Sequence, residues 1–182
     1  MTGLMYVLAD ASGSTVRDGF HEGVHLALPH LVHLADERDA RFCLAAYGDD
    51  AGLRVALIGA GDLTVIPRIP AGGLSSLAAG LRVVAAAIEH DTSQLRSDGM
   101  EPGPPATLVL AHGLGTDRDE AVLEARRPLA GRLHVSAPGE DRLAFTGLGA
   151  TVHPMRLGDA GTVAASVVTA ARQAWPASGS TQ

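Results

Sequence analysis

The sequence contains no lysine and no asparagine, and it has one cysteine and only 3% aromatic residues. Its formal net charge is −6, and its arginines form no basic stripe. Proteins whose main partner is nucleic acid carry such a stripe, so the composition argues against that function. A single cysteine cannot build a disulfide framework. Cys43 lies in an apolar run, and we expect a buried, reduced thiol in a cytosolic protein.

Long uncharged apolar runs are also missing from the sequence. No stretch is long enough and free enough of charge to span a membrane, and the first residues lack the basic start of a signal peptide. We therefore expect neither a membrane anchor nor secretion. A chain of 182 residues that is 46% hydrophobic can bury a substantial core. It predicts one domain over residues 1–176, followed by a disordered tail at 177–182.

Short apolar runs alternate with helical patterns along the chain. This alternation predicts an α/β fold in three layers, with a mostly parallel central sheet and helices on both faces. Two of the runs flank the turn sequence DDAG, which predicts a hairpin and hence one antiparallel edge strand. The predicted strands are 4–9, 41–48, 53–60, 106–111, 131–137 and 150–156. The predicted helices are 20–34, 75–90, 117–129, 139–147 and 161–175.

Three segments carry further structural expectations. Pro29 lies inside the first helical pattern and should kink or break that helix. Residues 91–105 are polar and rich in helix breakers, which predicts a surface loop. Ser75 or a neighbouring residue is expected to cap the second helix.

The first predicted strand ends in the stretch DASGS, residues 10–14. Ligands bind at the carboxyl ends of the strands in such folds. Asp10, Ser12 and Ser14 would place three oxygen ligands there, which suits a hard cation such as Mg²⁺. With few carboxylates around it, the ion would favour an acidic group from a partner. The same residues could instead serve only to cap the first helix.

The stretch DASGS fits the D-x-S-x-S motif that opens the metal-ion-dependent adhesion site of von Willebrand factor A (vWA) domains. Four later segments resemble motifs of that family in the same order: FCLAAYGDDAGLRVALI, GGLSSLAAGL, LVLAHGLGTD and LHVSAPGED. The resemblance covers nearly the whole chain. Within the family, the sequence most resembles small bacterial vWA proteins encoded with tellurium-resistance genes. It implies a Rossmann-like sheet and a non-catalytic, protein-binding role beside stress-response proteins.

Two positions depart from the family pattern. Ser75 stands where the family has a metal-binding threonine, and it keeps the hydroxyl. His112 stands where the family has an aspartate, and imidazole suits Zn²⁺ better than Mg²⁺. Asp117 lies farther along and could compensate for the lost charge, while His112 could also be a solvated histidine at a strand end. Three possibilities stay open: a weak Mg²⁺ site, a site for another metal such as Zn²⁺, and a metal-free surface of the same shape.

Residues 21–25, HEGVH, have the H-E-x-x-H spacing of zinc proteases. On a helix this spacing sets His21 and His25 on one face, with Glu22 available as a general base. Gly23 and Pro29 weaken such a helix, and no third ligand follows at the usual spacing. We therefore interpret the histidines as a solvated or partner-facing surface.

The sequence predicts a non-enzymatic scaffold module that binds another protein through the carboxyl-end face of its sheet. A metal-dependent hydrolase using the HEGVH helix or His112 is one alternative. A subunit of an obligate complex whose site has lost its metal is another. The candidate metal ligands are Asp10, Ser12, Ser14, Ser75 and His112. The candidate partner-binding residues are Asp49, Asp50, Gly73, Ser76 and Asp117.

Overall fold

The central sheet has six strands in the order β3-β2-β1-β4-β5-β6. The computed structural model describes residues 1–113, 115–129 and 132–176, and the predicted tail at 177–182 lies outside this part. All strands are parallel except β3, which pairs antiparallel with β2 at one edge. The predicted fold class and edge hairpin are confirmed. The strands are β1 Gly3–Asp10, β2 Ala40–Tyr47, β3 Ala51–Gly59, β4 Ala106–Leu110, β5 Leu133–Pro138 and β6 Thr151–Met155.

Helices cover both faces of the sheet. The apolar run of β1 explains why, because Met5, Val7 and Ala9 are buried on one face while Leu4 and Leu8 are buried on the other. A strand that is apolar at every position needs such a double cover. Helices α1 and α5 pack on the first face, and α2, α3 and α4 pack on the second. The helices are α1 Phe20–Asp36, α2 Leu77–Ser97, α3 Asp119–Arg126, α4 Arg142–Gly147 and α5 Ala160–Ala174.

Pro29 does not break the first helix, because α1 continues through it to Asp36. The kink expected as the other outcome stays a prediction. Pro29 is exposed, and it removes one helical hydrogen bond, the one to the carbonyl oxygen four residues earlier. Leu28 and Leu31 are fully buried and anchor the helix on both sides of the proline. Core packing therefore outweighs the local cost of the proline.

The predicted loop at 91–105 is wrong in its first part, because α2 continues to Ser97. The hydroxyl of Tyr6 on β1 donates a hydrogen bond to Asp91 at 3.0 Å. Leu95 is only 3% exposed. These two contacts hold the end of the helix against the sheet despite its polar composition.

Two expectations from composition concern the core and the membrane. Cys43 on β2 is free and buried, as predicted. Burial, and to a smaller extent the charge of Asp91, raises the pKa of its thiol to about 12, so the thiol is protonated at neutral pH. Among the helices of the described ranges, none has the length and apolarity needed to cross a bilayer.

Candidate functional site

Three loops meet where β1 and β2 end and where the chain approaches α2. Backbone hydrogen bonds join them. The Ala11 N–H donates to the carbonyl of Tyr47 at 2.7 Å, the Gly72 N–H to that of Ala11 at 2.8 Å, and the Gly13 N–H to that of Gly73 at 2.9 Å. The loops therefore form one continuous surface with the end of β4, which we call the carboxyl-end face. It comprises residues 10–15, 47–50, 72–76, 112–113 and 115–117.

Asp10 is the centre of a hydrogen-bonded cluster on this face. Its side chain is buried at the end of β1. Oδ1 accepts a hydrogen bond from the backbone N–H of Ser12 at 2.9 Å, and Oδ2 accepts one from the hydroxyl of Ser75 at 3.3 Å. The Oγ atoms of Ser12 and the exposed Ser14 lie 3.1 Å apart. Four of the candidate metal ligands are thus brought together, and we call them the Asp10 cluster.

Tyr47 belongs to the surroundings of Asp10 and is not among the candidates named from the sequence. Its side chain is buried beneath the loops at the end of β2. Burial raises the pKa of its phenol well above the ordinary value, and the negative charge of Asp10 raises it further. Tyr47 is the register partner of Asp10 in the parallel β1–β2 pair. The available sequence signal was its place near the end of the second predicted strand, 41–48.

Asp49 fixes the glycine-rich loop that precedes α2. Its Oδ1 accepts a hydrogen bond from the backbone N–H of Leu74 at 2.9 Å. Gly73 has a φ of +70°, and a Cβ there would lie 1.8 Å from the Cγ of Asp49, so only glycine fits. Asp50, by contrast, is exposed and lies 3.5 Å from the guanidinium of Arg54, which is a weak surface pair.

Asp117 binds the N-terminus of α2. One carboxylate oxygen accepts from the Ser76 hydroxyl at 2.9 Å and the other from the Ala78 N–H at 2.8 Å. Ser76 is itself the N-cap, because its hydroxyl accepts from the Ala79 N–H at 3.3 Å. A carboxylate here complements the partial positive charge of the helix end. Both oxygens of Asp117 are therefore engaged with α2 and not with the Asp10 cluster.

His112 contacts the start of α1. Its ring packs edge to face against Phe20, with ring centroids 5.2 Å apart. Its Nε2 is buried without a hydrogen-bond partner among the described residues. Within the same residues, no hydrogen bond joins His112 to Asp10, Ser12 or Ser75. A role for His112 as a metal ligand stays a prediction.

The oxygen atoms of the Asp10 cluster suit a hard cation, but the cluster carries little negative charge to bind one. All four side chains offer oxygen atoms, which Mg²⁺ prefers, yet only Asp10 is negatively charged. In the part of the chain that the structure describes, no three His, Cys, Asp or Glu side chains are grouped so that they could hold a metal. Any cation held by the cluster would therefore depend on neutral hydroxyl ligands.

The histidine-rich segment lies on α1, whose first residue, Phe20, packs against His112 of the carboxyl-end face. The rings of His21 and His25 are T-shaped, with centroids 4.8 Å apart. His25 Nε2 lies 3.3 Å from the carbonyl oxygen of Ile69, and against a carbonyl this nitrogen must be the donor. Burial lowers the pKa of His21, and the charge of His25 lowers it further. The hydrogen bond leaves this nitrogen of His25 without a free lone pair for zinc, so a zinc site on this helix would have to use other ring nitrogens. The hydrolase alternative stays a hypothesis.

Comparison with solved structures places this architecture among known folds. A von Willebrand factor type A protein from Catenulispora acidiphila is 17% identical, with a TM-score of 0.70 over 95% of this chain and 42% of that one. The pilus adhesin SpaC from Lactobacillus rhamnosus GG, in its open conformation, is 14% identical, with a TM-score of 0.66 over 96% and 30%. The ArnB paralog VWA2 from Sulfolobus acidocaldarius is 16% identical, with a TM-score of 0.57 over 92% and 45%.

These likenesses show that the chain has a vWA-like fold, as its motifs predicted. No protein-family model and no curated protein matches the sequence. The chain spans less than half the length of each of the three proteins above. The tellurium-resistance type and the state of the adhesion site stay predictions.

Proposed function

We propose that this chain is a non-enzymatic interaction module that binds a partner protein through its carboxyl-end face. The Asp10 cluster carries the proposal, because a buried carboxylate holds the Ser75 hydroxyl and the Ser12 backbone beside the exposed Ser14. The loops around it are fixed by backbone hydrogen bonds. A pre-formed surface loses little conformational entropy when it binds. Solved proteins with this fold include a pilus adhesin and a minor pilin, which supports a binding role.

The partner presents an acidic or polar side chain to the Asp10 cluster. The serine hydroxyls can donate hydrogen bonds to it directly. Asp10, Ser12, Ser14 and Ser75 would hold a hard cation such as Mg²⁺, whose charge would attract a carboxylate of the partner. Because affinity for such ions rises with the number of charged ligands, we expect this binding to be weak. His112 does not fit the oxygen set and would instead favour Zn²⁺.

The experiment compares two serine variants in capturing a partner from an extract of the source organism. Ser14→Tyr places a bulky ring over the cluster at an exposed position. Ser97→Tyr makes the same change at an exposed position at the other end of α2, near the opposite end of the sheet. We expect a discrete partner whose recovery falls at least about tenfold with Ser14→Tyr and is unchanged with Ser97→Tyr. Equal recovery by both variants, or equal loss, contradicts the proposal.

The same capture experiment, repeated with Mg²⁺ and with a chelator, distinguishes a cation-dependent site, a metal-free site and a zinc site. Loss of the partner in chelator and in Asp10→Ala indicates a cation-dependent site. Recovery in chelator together with loss in Ser14→Tyr indicates direct hydrogen bonding by the face. Restoration by Zn²⁺ alone, abolished by His112→Ala, indicates that His112 is a ligand.

A further inference from the structure

A separate pocket lies at the opposite end of the sheet, where the parallel strands begin. Its volume is about 280 Å³. The starts of β1, β2 and β4 form one side of it, and residues that follow α1 and α5 form the other. We call it the amino-end pocket. Its lining includes Leu4, Met5, Arg38, Pro104, Arg132 and Trp175.

The polar groups of the amino-end pocket are hydrogen-bond donors. Arg38 and Arg132 line it together with the indole of Trp175, and none of the described residues that line it is acidic. The Nη1 atom of Arg38 and the Nε1 atom of Trp175 are buried without a hydrogen-bond partner among the described residues. Such unpaired donors are rare in folded proteins, and here the donors of this region outnumber the acceptors that the described residues supply.

The two arginines carry positive charge with little compensation nearby. In the described ranges neither guanidinium forms an ion pair with a carboxylate, and Arg132 donates from Nη1 to the carbonyl of Pro104 at 3.0 Å. Burial lowers the pKa of Arg38; Glu37 opposes this shift, and the charge of Arg172 adds to it. An arginine remains protonated in such a setting, so its charge favours a bound anion.

We infer that the amino-end pocket binds a small organic anion, namely a carboxylate or phosphate group attached to an apolar body. The oxyanion accepts hydrogen bonds from the guanidinium groups of Arg38 and Arg132, and the indole of Trp175 forms part of the wall beside it. The planar donor array of arginine matches such groups. The apolar body packs against Leu4 and Met5. The volume limits the ligand to about one ring or a short chain. This site is independent of the carboxyl-end face and of the function proposed for it.

The indole that lines the pocket also provides the measurement, because Trp175 is the only tryptophan in the chain. Its fluorescence is followed while the purified protein is titrated with benzoate, phenyl phosphate or uncharged benzamide. We expect a saturable change with at least one of the two anions and none with benzamide. The anion that saturates at the lower concentration shows whether the pocket prefers carboxylate or phosphate.

Three arginine variants make the test specific. Arg38→Gln and Arg132→Gln should each weaken binding of the preferred anion by about tenfold or more, since each removes a charged donor. Arg132 is exposed, so Arg132→Gln carries the test if Arg38→Gln fails to fold. Arg82→Gln, an exposed position on α2 outside the pocket, should leave the affinity unchanged. No saturable change, an equal response to benzamide, or full affinity in Arg132→Gln overturns the inference.

Discussion

At the scale of single residues, the aspartates of the carboxyl-end face differ in the groups that donate hydrogen bonds to them. Asp49 and Asp117 accept hydrogen bonds from the backbone of a loop and of a helix end, and Asp117 also accepts one from the Ser76 hydroxyl at the start of α2. Asp10 accepts from the Ser75 hydroxyl as well and lies beside the exposed Ser14. The first two shape the face, whereas Asp10 organises the groups that a partner can reach.

The capping role of Asp117 predicts a loss of stability. Asp117→Ala removes the acceptor for the Ala78 N–H and for the Ser76 hydroxyl. We expect the free energy of unfolding to fall by about 1–2 kcal/mol, as measured by urea denaturation. Glu124→Ala, at an exposed position of α3, should change it by less than about 0.5 kcal/mol. If the two variants lose the same amount, Asp117 is not a cap.

A histidine pair on β5 and β6 predicts a pH dependence. His134 Nδ1 lies 3.0 Å from His153 Nε2, and His153 Nδ1 lies 2.7 Å from Oε1 of Gln173. Burial lowers the pKa of His134, and the charges of His153 and Arg132 lower it further. The unfolded chain therefore takes up this proton at a higher pH than the folded chain. The free energy of unfolding should fall as the pH falls below the ordinary histidine pKa, until the lowered folded pKa is passed.

Urea denaturation at a series of pH values tests this sign. His134→Gln should flatten the decline that begins below about pH 6.5, the pKa of a free histidine. The exposed His90 provides the control, because His90→Gln should leave the decline as it is. His21 also has a pKa lowered by burial, so part of the decline should persist in both variants. The same decline in His134→Gln and in the unmodified protein would contradict the assignment.

At the scale of elements, the contact between α1 and α5 depends on a glycine. A Cβ at Gly23 would lie 2.5 Å from Cβ of Val163 and 2.8 Å from the carbonyl oxygen of Ala160. The clash with the Ala160 carbonyl oxygen involves a backbone atom, so rotating a side chain cannot relieve it. Gly23 thus belongs to the packing of the first helix, although its sequence context resembles a zinc motif.

Gly23→Ala should therefore destabilise the protein by about 2 kcal/mol or more, even though alanine has the higher helix propensity. Gly147→Ala is the matched control in α4, because a Cβ there meets nothing within 4 Å. It should be neutral or stabilising by up to about 1 kcal/mol. Thermal unfolding of both variants measures the difference, and stabilisation by Gly23→Ala would rule out the close contact.

The sequence predicted elements better than it predicted contacts between them. Apolar runs such as 4–9 located the strands, and the DDAG turn located the edge hairpin, because both signals are local. The end of α2 depends on Tyr6, far away in the chain, and its N-terminal partner Asp117 lies 41 positions from Ser76. Contacts of this kind leave no trace in a local pattern, so the candidate set could not separate structural aspartates from Asp10.

At the scale of the whole molecule, the two ends of the sheet have opposite character. The carboxyl end gathers hydroxyls and aspartates around Asp10, and the amino end has a pocket lined by Arg38 and Arg132. The sheet between them fixes their separation, since every strand except the antiparallel β3 runs in the same direction, from the amino end to the carboxyl end. The molecule therefore offers two chemically distinct surfaces, of which the carboxyl-end face is the proposed site for a protein.

Photo-crosslinking tests this central claim most directly. A benzoylphenylalanine residue replaces Ser14 in one variant and Ser97 in the other, and each variant is irradiated in the cells that produce the protein. Both positions are exposed, so both variants should fold. We predict a discrete product of higher mass from position 14 and none from position 97. A product from position 97 alone, or no product from either position, would contradict it.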